Sequence, residues 1–88
     1  MNEDLIEDEL RAIVAEVAEI EPGSIDVSGT LADAGVDSLM AMEIAVDVER
    51  TYSLSFTVED LKAITTFGSL VELTRTRLAE QEAASSGR

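Results

Sequence analysis

The 88-residue chain contains no Cys and no His, and Lys62 is its single lysine, so few of its side chains could do chemistry unaided. Thiolate nucleophiles, disulfides, Cys/His zinc sites and every triad that needs an imidazole base are thereby excluded. What stands out is Ser38, at the turn that opens Gly35-Val36-Asp37-Ser38-Leu39-Met40-Ala41-Met42-Glu43-Ile44-Ala45-Val46. Its hydroxyl has three possible roles. As a helix N-cap it would accept a backbone N–H, the commonest role for Ser at such a position. As a nucleophile it would need a base, and the sequence does not bring Lys62 near it. Met40 also stands where the second Gly of a Gly-x-Ser-x-Gly elbow would be. As a substrate it would receive a phosphate-containing group from another enzyme, because a helix N-terminus offers free N–H donors and a favourable dipole to the resulting anion. Asp37 could then orient the hydroxyl or hold a metal ion for that enzyme.

Several elements must position this turn. Leu5, Ile6, Leu10, Ile13, Val14, Val17 and Ile20 recur at helical spacing while acids fill the opposite face, which predicts a first amphipathic helix. Asn2 or Asp4 would cap it and Pro22-Gly23 would end it. A long connection, Ser24 to Asp37, carries Ile25, Val27, Leu31, Ala34 and Val36, and is therefore expected to pack down and deliver Ser38. The second helix should start at Asp37 or Ser38 and run to about Thr51. Thr57-Val58-Glu59-Asp60 has the capping-box form and opens a short helix with Leu61 and Ile64 inward. Thr65 and Thr66 break and recap the chain before a last helix with Phe67, Leu70, Val71, Thr74 and Leu78 on one face. The expected fold is all-α: a small bundle of three main helices plus one short helix, spanning residues 1–82, with a flexible tail over 83–88.

Charge and length narrow the function classes. Nineteen acidic residues against six basic ones give a formal charge of −13, which argues against nucleic acid and against an anionic membrane surface. Partners with basic surfaces are expected instead. No apolar run approaches the ~20 residues of a membrane span, and the N-terminus lacks the order of a signal peptide, so a cytoplasmic monomer is expected. Met1 and the polar tail suggest a free-standing protein, although a domain cut from a multienzyme could look similar.

The second helix has two apolar faces. At ~100° per residue, Ala41, Ile44, Ala45, Val48 and Tyr52 share one arc, the core face. Leu39, Met42 and Val46 lie nearly opposite, bordered by Glu43, Asp47, Glu49 and Arg50. Another element covers this second stripe, or its three exposed apolar residues carry no role, as is common on surfaces, or it is a docking surface for proteins with a groove and basic residues.

Asp37-Ser38-Leu39, within Gly35-Val36-Asp37-Ser38-Leu39, resembles the Asp-Ser-Leu signature of acyl carrier proteins, and the resemblance runs from about Leu5 to Leu78. It covers the long first helix, the packed loop with Leu31, the helix Glu43 to Tyr52, and the later segment with Phe56, Asp60-Leu61, Ile64-Thr65-Thr66 and Leu70. The resemblance implies a non-catalytic carrier whose Ser38 receives 4'-phosphopantetheine from coenzyme A, framed by Asp37 and Leu39 for a phosphopantetheinyl transferase. Acyl intermediates would ride as thioesters on that arm to a ketosynthase, an acyltransferase and other acyl-processing enzymes. It also assigns Leu39, Met42, Glu43, Val46, Asp47 and Glu49 to partner docking. Met40 follows the signature where fatty-acid carriers usually have an acid, and Arg50 interrupts an acidic run common in them, so the resemblance leans toward polyketide carriers. A fatty-acid carrier and a non-enzymatic acidic interaction module, with Ser38 only a cap, are the alternatives.

Overall fold

The computed structural model describes the backbone of residues 3–86 and the side chains of residues 5–83. Four α-helices follow in order: α1 (Glu3–Ala18), α2 (Ser38–Tyr52), α3 (Val58–Ala63) and α4 (Phe67–Ser86), with a 3-10 turn at Pro22–Ser24. Three long helices and one short one are the expected bundle. The caps expected for α1 at Asn2 or Asp4 lie outside the described side chains. The boundary expected after residue 82 falls inside α4, which continues to Ser86; Gly87 and Arg88 lie outside the described residues.

Ile6, Leu10 and Val14, spaced four apart, are the buried edge of α1 and meet Ile44 and Val48 of α2 and Phe67, Leu70 and Val71 of α4 in one core. Thr74 is the polar member of the buried α4 stripe; its hydroxyl donates to the Leu70 carbonyl at 2.8 Å, so the group is satisfied inside the helix. Helix α1 stops four residues before Pro22, not at Pro22-Gly23 as the sequence suggested. Glu19 adopts a left-handed conformation (φ 59°), and the Ile20 N–H donates back to the Ala15 carbonyl at 3.0 Å, a Schellman-type closure. Pro22 instead opens the 3-10 turn, where its missing N–H leaves no bond unmade.

The connection from Ile25 to Asp37 is packed down, as its apolar residues demand: Ile25, Leu31 and Val36 are buried, while Val27 stays exposed. Backbone bonds fasten it to the far side of the molecule. The Leu31 N–H donates to Thr65 O (2.9 Å) and the Gly68 N–H to Val27 O (3.0 Å). A Cβ at Gly68 would lie 3.0 Å from that same Val27 oxygen, so glycine is what permits the loop to seat on α4. Arg11 clamps the start of the loop. Its guanidinium donates to Ile25 O at 2.5 Å, pairs with Glu7 at 2.6 Å and sits 4.9 Å over the Phe67 ring.

The short α3 has the capping box read from the sequence: Thr57 Oγ1 accepts from the Asp60 N–H, and Asp60 accepts from the Thr57 N–H. Its inward residues differ from expectation. Leu61 is exposed, and Ile64 packs on the core from just beyond the helix end. A six-residue helix presents little more than one turn to the core, and the buried position goes to Asp60, whose carboxylate is gripped by Arg77 of α4 at 2.5 and 3.1 Å. Thr66 and Ser69 exchange side-chain to backbone bonds at 3.0 Å each way, which recaps the chain into α4 as expected.

Candidate functional site

Gly35 has φ +94°, a conformation that L side chains rarely adopt, and it turns the chain so that Val36 enters the core while Asp37 and Ser38 emerge. Asp37 is the N-cap of α2. Its Oδ1 accepts the Met40 N–H at 2.9 Å and its carbonyl accepts the Ala41 N–H at 2.9 Å. Ser38 is therefore the first helical residue, exposed, and its hydroxyl takes no cap bond. That corrects the reading of Ser38 as the cap and, with it, the idea that capping alone explains the residue. The N–H groups of Ser38 and Leu39 belong to the first turn of α2, where no helical carbonyl precedes them to accept a bond. With one oxygen held by the Met40 N–H, Asp37 fixes the start of the helix.

A solvent-open groove of about 230 Å³ begins at Ser38 and runs between α2 and α3, lined by Ala41, Met42, Val58, Leu61, Lys62 and Ile64. The exposure of Leu61 is thus exposure to this groove. Lys62 stands in the same wall, although nothing in its sequence position placed it near Ser38. Val58, Leu61 and Lys62, at i, i+3 and i+4, share one side of α3, but that spacing alone does not say which helix the side meets. No hydrogen bond joins Ser38 to Lys62 among the described residues, so they do not form a nucleophile and base.

The outward stripe of α2 is uncovered: Leu39 is 66% exposed, Met42 60% and Val46 47%. With Val17, Glu43, Asp47 and Arg50 they line one shallow surface depression. The structure brings together five of the six residues assigned to docking. Glu49 is set apart: its Oε2 accepts the Phe56 N–H at 2.7 Å, which ties the chain after α2 to the helix. Arg50 and Asp47 approach to 3.4 Å on the exposed surface. The opposite face, Ile44, Ala45 and Val48, is buried as the helical wheel requires. Met40 lies half-buried against the core.

Two ionisable groups brace the bundle that carries the site. Hydrogen bonds from Arg77 and the Thr57 N–H hold the Asp60 carboxyl below the usual carboxylate range. Tyr52, which donates to Glu9 of α1, is pushed above the ordinary tyrosine value, first by burial and then by that carboxylate. Among the described residues no group of acids is arranged to hold a metal ion, and no helix is long and apolar enough to cross a membrane.

The site thus joins an exposed serine in the first turn of α2 to an uncovered, acid-bordered apolar stripe on the same helix. Residues 8–74 match the phosphopantetheine attachment site family, and the chain belongs to that family. It is a non-catalytic carrier domain of a family that uses covalent 4'-phosphopantetheine, and its fold is that of acyl carrier proteins. The non-reducing polyketide synthase azaA of Aspergillus niger is 43% identical over 65 residues, 74% of this chain. The non-reducing polyketide synthase pkiA of Emericella nidulans is 41% identical over 71 residues, 81% of this chain. This chain spans only 2% and 3% of the lengths of those two proteins. Among solved structures, an acyl carrier protein from Thermotoga maritima superposes with a TM-score of 0.79 at 19% identity, covering 91% of this chain and 94% of that one. A free-standing peptidyl carrier protein from Acinetobacter baumannii gives 0.76 at 25% identity, covering 88% and 96%.

Proposed function

We propose that Ser38 is the attachment point of the 4'-phosphopantetheine arm and that the chain carries acyl intermediates of polyketide assembly as thioesters on it. The observation that supports this most is the division of labour at the start of α2. Asp37 caps the helix, which leaves the Ser38 hydroxyl exposed and unbonded in the segment matched to the attachment-site family. When bound, the arm supplies a thiol that this Cys-free chain lacks. The chain's own residues present and orient. Asp37 and Gly35 fix the turn, and Ser38 yields its proton to a base of the phosphopantetheinyl transferase as its oxygen forms the phosphodiester and the nucleotide half of coenzyme A departs. The unpaired N–H groups of Ser38 and Leu39 then face the new anion.

Leu39, Met42 and Val46, with Glu43 and Asp47 beside them, form the surface on which the transferase, a ketosynthase, an acyltransferase and other acyl-processing enzymes dock by their basic patches. The polyketide assignment is favoured over fatty-acid synthesis by the relatives, which are non-reducing polyketide synthases, and by Met40 after the signature. The carrier acts in the cytoplasm as a monomer, with neither nucleic acid nor membrane as a partner. Incubation with coenzyme A and a broad-specificity transferase tests the reading. The intact protein gains the mass of one phosphopantetheine and Ser38→Ala gains none; an unmodified wild type would overturn it.

A further inference from the structure

We propose that Lys62 is the positioning residue for the phosphodiester formed on Ser38, holding the base of the arm against the mouth of the α2–α3 groove. The proposal rests on the reading of Ser38 as the attachment point. Lys62 and Ser38 line the same groove, whose remaining wall is apolar: Ala41, Met42, Val58, Leu61 and Ile64. The chain carries a formal charge of −13, and its few cations are mostly engaged. Arg11 pairs with Glu7, Arg50 with Asp47, and Arg77 with Asp60 and Glu80. No ion pair or hydrogen bond ties the Lys62 side chain among the described residues, and Arg75, which has an interaction of its own, does not line the groove.

Modification adds an anion at Ser38, beside Asp37 and one turn from the acidic edge of α2. Among the described residues that line the groove with Ser38, Lys62 is the one charged group, and its sign is opposite to the anion's. A lysine suits this role because its flexible stem carries a compact point charge that follows a tethered phosphate without demanding one fixed geometry. The unpaired N–H groups at the start of α2 favour the anion from the other side. The arm thus leaves Ser38 along the groove.

The chain has one lysine, and the loaded protein has one phosphorus, so both partners give single, self-assigned NMR signals. Intact mass first establishes loading at Ser38; failure there concerns the attachment site and not Lys62. The protein is then studied with the free thiol, so that no acyl carboxylate is present and the phosphodiester is the only added anion. The expected result is a shift of the Lys62 side-chain resonances between unloaded and loaded wild type. The phosphorus signal moves in Lys62→Met, returns toward its wild-type position in Lys62→Arg, and the Lys62 shift is lost near 1 M salt, where screening acts within about 3 Å. A lysine signal unchanged by loading overturns the proposal, and that comparison requires no variant. A phosphorus signal indifferent to Lys62→Met overturns it equally, because a lysine with a merely structural role would leave the phosphorus unmoved.

Discussion

Asp37 and Ser38 are both strong capping types, and which of them accepts the first-turn N–H decides what the other is free to do. The sequence left this open because Ser and Asp compete for the same role at adjacent positions. The structure resolves it through register: Gly35 with its positive φ and buried Val36 place Asp37 one residue ahead of the helix. The two substitutions therefore separate. Asp37→Ala removes the cap and lowers stability by about 1 kcal/mol in chemical denaturation. Ser38→Ala, at an exposed first helical position, changes stability by less than about 0.5 kcal/mol while abolishing loading. Equal destabilisation by both would return the cap to Ser38. Lys62 was illegible for a different reason: its proximity to Ser38 is set by how α3 folds back on α2, and local spacing does not encode that approach.

At the scale of elements, the helical wheel separated the two faces of α2 correctly because a 15-residue helix samples both fully. It did not reveal the bond made by Glu49, since angular position on a helix does not show that the chain beyond it returns to offer a backbone N–H. Reversing Glu43 and Asp47 to Lys slows loading about tenfold or more at low ionic strength, and the deficit shrinks as salt is raised. Glu49→Gln leaves the salt dependence alone and acts on stability through its bond to Phe56. Rates unchanged across the salt series would place docking elsewhere. The short α3 depends on a charge. Asp60 titrates below its unfolded value of 3.8, so its pairing with Arg77 stabilises the fold above that pH and is lost as pH falls through the lowered folded value. Circular dichroism and denaturant titrations below about pH 4 show a steep acid limb that Asp60→Asn flattens.

At the scale of the whole molecule, the all-α bundle was legible in the periodicity of α1, α2 and α4, and the packed loop in its apolar residues. What fastens the loop was not, because Arg11, Gly68 and the Leu31–Thr65 bond join residues far apart in sequence. The end of the bundle away from Ser38 is closed by Tyr52 and Glu9. Tyr52 is raised above its unfolded value of 10.0, so the folded state holds its proton where the unfolded chain releases it. Stability is constant below that value from this group and falls as pH rises beyond about 10, and Tyr52→Phe removes its share of the fall. An alkaline limb identical in wild type and Tyr52→Phe would contradict the assignment.

The proposed carrier role centres on one exposed oxygen, the Ser38 hydroxyl. Fragment-ion mass spectrometry of the loaded protein tests that centre most directly, by reading which residue bears the phosphopantetheine. The account predicts the group on Ser38 alone. Its appearance on any other serine or threonine, or its persistence in Ser38→Ala, would contradict it.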